Sequence, residues 1–215
     1  MLMQGPLLES IVAFLAVLLV CLPIHEFGHA WTAMKLGDPL PVQQGRVTLN
    51  PVKHLDWLGA ALLAFAGFGW AKPVQFNPYA LYKAPSLKAG VVVVASAGPV
   101  MNVLLALAAA LPFRLGLVSV TDLFASQPAA MILYLLVSIN LLLAVFNLIP
   151  IPPLDGSKIL AMLLPTQYDR VMLTLSQYGP FILLLLIFPL FGGQSVVGLV
   201  VTPIVGALTR LVLGL

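Results

Sequence analysis

Long apolar runs separated by short polar stretches form the main pattern of this sequence. A helix of about 20 apolar residues crosses the hydrocarbon core of a bilayer. Pro23 predicts a kink in the first run, and Gly192-Gly193 predicts a tight turn between the last two. A short helix is expected at Ser157–Leu164, after the third run. The pattern therefore predicts an all-α integral membrane protein, a polytopic helix bundle of about five spans. We place these spans at Leu7–Leu36, Ala89–Leu111, Ala130–Ile151, Met172–Phe191 and Val196–Leu213.

The stretch between the first two spans has a different pattern. Residues Val42–Pro51 are typical of short extended strands on either side of Gln44-Gly45. The apolar segment Leu58–Trp70 contains three glycines and, at about 13 residues, is too short to cross a bilayer. We therefore expect a short β segment followed by a re-entrant or interfacial segment. Residues Ala71–Lys88 are rich in proline, lysine and tyrosine and should lie at the membrane surface.

Composition agrees with a membrane protein. Of 215 residues, 61% are hydrophobic and 8% are charged, against about 25% charged residues in soluble domains. The length fits a single membrane-embedded domain over residues 1–215, and the single cysteine, Cys21, excludes an internal disulfide. The net charge of +3 is small and the basic residues are spread out. We therefore expect the lipid bilayer, and no nucleic acid, as a partner.

The basic residues are distributed asymmetrically between the two sides of the membrane. If the five spans alternate in direction, nine of the ten basic residues share one side and only Arg114 lies opposite. Cytoplasmic loops carry an excess of Lys and Arg. We therefore expect a multi-pass protein of the cell membrane with its N-terminus outside. The nine residues are Lys35, Arg46, Lys53, Lys72, Lys83, Lys88, Lys158, Arg170 and Arg210.

Three ionisable residues interrupt the first span, in the sequence His25-Glu26-Phe27-Gly28-His29. Two histidines four residues apart share one face of a helix and can bind one Zn²⁺, with the glutamate beside the ion as a general base. Ionisable residues inside a membrane segment usually mark a functional site. The pentapeptide therefore predicts a zinc site with one ion per chain.

A catalytic zinc ion needs a third protein ligand and an open position. Asp155 is the favoured third ligand because Pro152-Pro153 and Gly156 frame a sharp turn around it, at the membrane side nearer the histidines. The same four residues are also common in ordinary turns. The residues that could supply the ligand are Asp155, His54, Cys21, Asp56 and Glu9.

Asparagines of the spans are candidates for hydrogen bonding at the site. Asn140 and Asn147 are seven residues apart on the third span and therefore share a face. A developing oxyanion needs donors, so we expect Asn147, and secondarily Asn140, to donate to the substrate. Interhelical hydrogen bonding is the alternative for Asn140 and the favoured role for Asn102. A strand near Gly45–Leu49 would offer its edge to an extended peptide by strand addition.

Several motifs together resemble the site-2 protease family of intramembrane zinc metalloproteases, in a compact form without PDZ-like or nucleotide-sensing domains. They are H-E-F-G-H at 25–29, R-V-T-L-N-P at 46–51, F-G-W-A-K-P-V at 68–74, A-G-P-V-M-N at 97–102 and N-L-I-P-I-P-P-L-D-G at 147–156. The resemblance implies zinc bound by His25, His29 and Asp155, with Glu26 as the general base. It also implies hydrolysis of peptide bonds in or near transmembrane segments of membrane protein substrates. The distribution of basic residues predicts that this site lies towards the cytoplasmic side.

Two other classes of function use the same residues. A membrane metal transporter or metal-binding protein would hold its ion with His25, His29 and Asp155. A catalytically inactive scaffold would bind membrane clients without cutting them, but the intact ligand set argues against it. Glu26 distinguishes a protease from a transporter, because only hydrolysis requires a general base.

Overall fold

Helices make up most of the chain. The computed structural model describes residues 7–66, 69–121, 127–188 and 195–215. Five helical segments in this part are long and apolar enough to cross a membrane, as judged by length and composition. The prediction of an all-α polytopic bundle is therefore confirmed. The helices are α1 Leu7–Ala16, α2 Leu22–Leu36, α3 Leu40–Gln43, α4 Pro51–His54, α5 Trp57–Ala66, α6 Leu87–Arg114, α7 Pro128–Asn147, α8 Asp155–Leu163, α9 Asp169–Ile187 and α10 Val196–Leu213.

The first span is irregular just before its histidines. Between α1 and α2 the chain makes a π-helical turn over Val17–Cys21. Such turns arise where the regular hydrogen-bond ladder of a helix is interrupted, and Pro23 has no N–H to contribute to that ladder. The kink predicted at Pro23 is therefore a π-helical turn, which ends at Cys21, two residues before the proline. At its other end α2 stops at Gly37, whose φ of 114° is readily adopted only by glycine.

The loop after α2 contains no β-strand in its described residues. The prediction of strands at Val42–Pro51 is therefore wrong. Instead α3 is followed by a turn at Gln44-Gly45, and α4 begins at Pro51. The side chain of Asn50 caps α4 by accepting a hydrogen bond from the Val52 N–H at 3.1 Å.

Buried polar side chains explain why this loop folds on itself. The Arg46 side chain is buried and its Nη1 donates to the main-chain carbonyls of Lys53 and Lys72. His54 is also buried, and its Nε2 lies 2.7 Å from the carbonyl of Thr48. These contacts satisfy backbone groups that a sheet would otherwise pair. The alternation of residues in the sequence does not reveal them.

The apolar segment expected at Leu58–Trp70 is helical in its first part, as α5, and residues 67–68 lie outside the described part. With 10 residues α5 is too short to cross the membrane. A Cβ on Gly59 would lie 2.1 Å from the carbonyl oxygen of Trp70, and one on Gly69 would lie 2.0 Å from that of Gly59. The two glycines therefore let the chain after α5 pass this helix in close contact.

Helix α6 is the centre of the bundle. It packs against α2, α7, α8 and α10. Where it crosses α2, a Cβ on Gly28 would lie 2.7 Å from Cγ of Met101 and 2.8 Å from the carbonyl oxygen of Ala97. Small residues at such a crossing allow two helix backbones to approach closely. The pentapeptide on α2 therefore lies in close contact with α6.

Helix α10 runs in a direction that the alternating five-span scheme does not allow. Arg114, at the C-terminal end of α6, donates from Nε to the Val212 carbonyl at 2.8 Å and from Nη2 to the Leu211 carbonyl. Leu213 packs in the same buried cluster as Phe113. The C-terminal ends of α6 and α10 therefore lie together, although alternating spans would separate them.

The direction of α10 changes the predicted distribution of basic residues between the two ends of the bundle. Arg210 is in the last turn of α10 and so lies at the same end of the bundle as Arg114. The prediction that placed Arg210 with the other basic residues is wrong. Of the nine basic residues that the prediction placed on one side, eight therefore remain. A count of loop charges could not reveal the position of Arg210, because that position follows from hydrogen bonds between Arg114 and carbonyl groups of a distant helix.

The remaining boundaries differ little from the expected ones. Helix α7 ends at Asn147, four residues before Ile151, since Pro150 disfavours helical geometry in the residue before it. Helix α8 begins at Asp155, two residues earlier than expected. Helix α10 has the expected bounds. The predicted turn at Gly192-Gly193 lies outside the described residues.

Candidate metal centre

Three side-chain atoms from two distant parts of the chain meet inside the bundle. Nε2 of His25 and Nε2 of His29 are 3.1 Å apart. Oδ2 of Asp155 lies 3.2 Å from the first and 3.0 Å from the second. All three side chains are buried, and together they form a group able to hold a metal ion. The structure thus brings together the three residues that the sequence favoured as ligands.

The hydrogen bonds of the imidazoles fix their tautomers. Nδ1 of His25 lies 2.7 Å from Oδ1 of Asn102, and Nδ1 of His29 lies 2.7 Å from the carbonyl oxygen of Val94. Both partners are acceptors, so each Nδ1 carries the proton. Each Nε2 therefore turns a lone pair towards the other and towards Asp155.

This donor set fits a zinc ion. Oδ2 of Asp155 is buried without a hydrogen-bond donor, and the two Nε2 atoms carry no proton to offer it. Three adjacent lone pairs repel one another unless a cation lies between them. In a tetrahedral site with zinc–ligand distances of about 2.0–2.1 Å, ligand atoms are about 3.3 Å apart. The observed separations are close to that value.

Asp155 reaches the histidines because α8 begins directly beside the end of α7. A Cβ on Gly156 would lie 2.2 Å from the carbonyl oxygen of Leu148, so only glycine allows this approach. The second carboxylate oxygen, Oδ1, accepts a hydrogen bond from Nζ of Lys158 at 2.9 Å. The neighbouring ammonium group of Lys158 favours the ionised form of this carboxylate. Asp155 is therefore a carboxylate at neutral pH.

Helix α6 leaves room for the imidazoles at Gly98. A Cβ at this position would lie 2.4 Å from Nε2 of His29 and 2.7 Å from Nε2 of His25. These distances are far shorter than an ordinary van der Waals contact. The absence of a side chain at Gly98 therefore keeps the metal-binding face of the histidines accessible.

Glu26 is held beside this group by the loop before α6. Its side chain is buried, and Oε2 accepts a hydrogen bond from the Val74 N–H at 2.9 Å. This contact fixes the orientation of the carboxylate and leaves Oε1 without a described partner. The loop segment is fixed in turn by Asp38, whose Oδ2 accepts from the Asn77 N–H at 2.6 Å.

Comparisons with known proteins agree with this geometry. A family model described as Peptidase family M50 matches residues 114–187. A protein of Bacillus subtilis strain 168 named "Putative zinc metalloprotease YwhC" is 39% identical over 182 residues, which cover 83% of this chain and 81% of its own. Proteins named "Putative zinc metalloprotease Rip2" are 29% identical in Mycolicibacterium smegmatis and 31% identical in Mycobacterium tuberculosis. They cover 79% and 81% of this chain, and 64% and 66% of their own lengths. No solved structure matches.

The chain belongs to peptidase family M50. The resemblance to the site-2 proteases is thereby confirmed, and so is the expectation of an intramembrane zinc metalloprotease. Zn²⁺ is the cofactor of this family, and His25, His29 and Asp155 are the residues able to hold it. A metal transporter is not favoured.

The other residues considered as the third ligand of this M50 protease have different partners. Oδ1 of Asp56 accepts from the Gly59 N–H at 2.9 Å and so caps α5. Sγ of Cys21 lies 3.2 Å from Nδ2 of Asn140. His54 contacts the backbone of its own loop. The side chain of Glu9 lies outside what the structure describes. Among the described residues, Asp155 alone joins the two histidines.

The two asparagines of α7 lie in different surroundings. Asn147 is half-buried at the end of α7, and its Nδ2 donates to the Leu143 carbonyl at 3.0 Å, which leaves one amide hydrogen. Asn140 is fully buried, and its Nδ2 donates to the Leu136 carbonyl at 2.7 Å and contacts Cys21. Asn147 therefore keeps a donor for a substrate, whereas the donors of Asn140 are already used.

Sequence reasoning missed some residues that shape the site. The interhelical hydrogen bonding expected of Asn102 is confirmed, but the sequence did not show that one of its partners is Nδ1 of a metal-binding residue, His25. The space for the imidazoles depends on Gly98, which lies one helical turn before Asn102 on α6. Their spacing of one helical turn was a signal for both. No pattern in the sequence points to the Val74 amide, because any residue except proline supplies an N–H.

Proposed function

We propose that this protein is an endopeptidase that hydrolyses peptide bonds in or near transmembrane segments of other membrane proteins. In this proposal His25, His29 and Asp155 bind one zinc ion and Glu26 is the general base. The observation that carries it is the meeting of three lone pairs within 3.2 Å of one another, beside an oriented carboxylate. This centre lies among helices of membrane length.

The residues divide the chemistry among themselves. The zinc ion, when bound, lowers the pKa of a water molecule and polarises the scissile carbonyl. Glu26 removes a proton from the attacking water through its free oxygen and passes it to the leaving nitrogen as the C–N bond breaks. The free amide hydrogen of Asn147 donates to the oxygen on which negative charge develops. Oε1 of Glu26 and one amide hydrogen of Asn147 have no other described partner, so both are available for these roles.

The site faces the cytoplasmic side of the membrane in this proposal. Eight of the ten basic residues belong to the loop between α2 and α6, to the adjoining turns of these two helices, or to the first turns of α8 and α9. This distribution supports a cytoplasmic position for the end of the bundle where α2 ends and α6 begins. His25 and His29 precede the last residue of α2, Leu36, by about 16 and 10 Å at 1.5 Å per residue. The N-terminus then lies outside, and the cut is made below the cytoplasmic surface.

We assign substrate docking to the segment Val74–Asn77 rather than to Gly45–Leu49, which forms no strand. This segment is neither helix nor turn, and Asn77 has extended backbone angles. In an extended chain alternate residues point to the same side, so we expect the Phe76 N–H to point the way the Val74 N–H does, towards Glu26. No backbone hydrogen bond joins Phe76 to another described residue. An unwound substrate can therefore pair with it by strand addition.

A substitution of the general base tests the reaction. The full chain with Glu26→Gln, in proteoliposomes with a transmembrane substrate, should keep about one zinc ion per chain and lose cleavage by at least 100-fold, since a glutamine cannot accept the proton. Asp169→Asn, on the exposed start of α9, is the matched control and should leave both properties unchanged. Full cleavage by Glu26→Gln would refute the assignment. A Glu26→Gln variant that moves metal across vesicles as fast as the wild type would favour transport.

Two proline substitutions test the docking segment. Phe76→Pro removes an N–H on the side of Glu26, and Gln75→Pro removes one on the opposite side, where no described backbone partner exists. We expect at least a tenfold fall in cleavage for Phe76→Pro only, with normal zinc content in both. Phe76→Ala controls for loss of the ring. Equal effects of the two prolines would contradict strand addition at this edge.

A further inference from the structure

We infer that Asn140 and Asn102 form a hydrogen-bond relay that holds His25 in the tautomer able to bind the metal. Both would be positioning residues, since neither reaches the reacting atoms. The inference rests on the proposed zinc site and extends it into the interior of the bundle. It replaces the expected role of Asn140 as a donor to substrate.

The relay is a continuous chain of short contacts. Nδ2 of Asn140 donates to the Leu136 carbonyl at 2.7 Å, and Oδ1 of Asn140 accepts from Nδ2 of Asn102 at 2.7 Å. Oδ1 of Asn102 in turn accepts from Nδ1 of His25 at 2.7 Å. The chain thus runs from the backbone of α7 through α6 to the metal-facing imidazole on α2.

Backbone carbonyls fix the direction of every bond in this chain. A carbonyl can only accept, so the group that Asn140 turns towards Leu136 must be its NH₂. Its oxygen then faces Asn102, which must present its own NH₂ there and its oxygen to His25. The Cys21 carbonyl, 3.3 Å from Nδ2 of Asn102, imposes the same orientation. His25 is therefore left with its proton on Nδ1 and its lone pair on Nε2.

Burial makes this orientation strict. Asn102 and Asn140 are both completely inaccessible to solvent, so water cannot substitute for a missing partner. If Asn102 rotated its amide by half a turn, two NH groups would face each other at His25 and two oxygens at Asn140. Outer partners of a metal-bound histidine commonly change metal affinity by 10- to 100-fold when removed.

The π-turn before α2 supplies two of the contacts. Cys21 is its last residue, and it offers its carbonyl to Asn102 and its Sγ to Asn140. Only the carbonyl constrains the direction of the relay, because a thiol can both donate and accept. The sulfur is therefore dispensable for metal binding, which provides a control within the same contact.

Zinc affinity of the purified full chain, measured by competition with a chelator, tests the relay. We expect 10- to 100-fold weaker zinc binding for Asn102→Leu and at least threefold weaker binding for Asn140→Leu. Asn140→Asp should bind zinc within about threefold of the wild type, because burial keeps the acid protonated and able to replace both amide contacts. Thermal unfolding of the metal-free proteins is measured in parallel.

Two controls separate the relay from packing. Val137→Ala removes a buried side chain one turn from Asn140, and Cys21→Ala removes only the sulfur. Both should lower the unfolding temperature without changing zinc affinity. If Val137→Ala weakens zinc binding as much as Asn140→Leu, or if Asn140→Leu binds zinc like the wild type, the relay is refuted.

A measurement on the unaltered protein completes the test. Nitrogen-15 NMR of the zinc-loaded wild type should show His25 protonated at Nδ1 and bound through Nε2. Ligation through Nδ1 would overturn the relay while leaving the zinc site intact. A wild-type protein that binds no zinc would instead refute the proposed function, so the two failures are distinct.

Discussion

Gly98 offers the sharpest test of the metal site, because a single methyl group added there enters the space of the ligands. In Gly98→Ala the new Cβ would lie 2.4 Å from Nε2 of His29, 2.6 Å from Cε1 of His25 and 2.7 Å from its Nε2. Non-bonded carbon and nitrogen atoms approach to about 3.5 Å. At least one imidazole, or α6 itself, must therefore move by about 1 Å.

Such a movement exceeds what a zinc site tolerates, since ligand distances vary by only about 0.2 Å. The surrounding contacts prevent an easy escape. Moving α6 away would lengthen the bonds from His25 to Asn102 and from His29 to Val94. Overpacking of a well-packed interior costs about 1–3 kcal/mol. If this cost falls on the metal-bound state, zinc affinity decreases by roughly 5- to 150-fold.

The assay is zinc content after dialysis and zinc affinity by chelator competition, on the purified full chain. Gly206→Ala is the matched control, since the nearest atom to its new Cβ would be Nη1 of Arg210, at 3.9 Å. Wild-type zinc affinity and cleavage in Gly98→Ala would refute the geometry of the site.

Three further expectations concern the surroundings of the site. Lys158→Gln removes the charged partner of Asp155 and should weaken zinc binding about two- to tenfold, as measured by chelator competition. The Lys158 side chain is 40% exposed. Unchanged zinc affinity would therefore show that water screens its ammonium group. Asp38→Asn places an amide opposite the Asn77 N–H and should lower cleavage at least threefold without loss of zinc, and equal loss of both would show that the loop also holds the metal site. Zinc at 100 times its dissociation constant should stabilise the folded wild type by about 2.7 kcal/mol, but should not stabilise His29→Ala in a thermal unfolding assay.

The sequence predicted those parts of the structure that depend on local pattern. Apolar length defined the spans, and α10 has the expected bounds. The two histidines were predictable because a spacing of four residues defines one helix face. Asp155 could be favoured but not assigned, since the contact between α7 and α8 depends on how closely Gly156 approaches the backbone of Leu148.

Other features depend on contacts between distant segments and leave no local pattern. The strands expected after α2 are absent because the buried Arg46 binds carbonyls 7 and 26 residues away. The direction of α10 depends on Arg114, which caps carbonyls 97 and 98 residues away. In the sequence Arg114 resembles an ordinary charged residue of a loop. Both errors concern arginines whose side chains bond to main-chain carbonyls of distant segments, and a count of charges does not reveal such bonds.

The two imidazoles are oriented by different kinds of acceptor, which has a consequence for how the site can fail. His29 is oriented by the main-chain carbonyl of Val94, which no substitution of a side chain removes, whereas His25 is oriented by the side chain of Asn102. Any loss in the relay should therefore release His25 and leave His29 protonated at Nδ1. In Asn102→Leu, nitrogen-15 spectra should show a mixture of tautomers for His25 only. A change confined to His29, or shared equally by both, would mean that the α2–α6 contact as a whole orients the ligands.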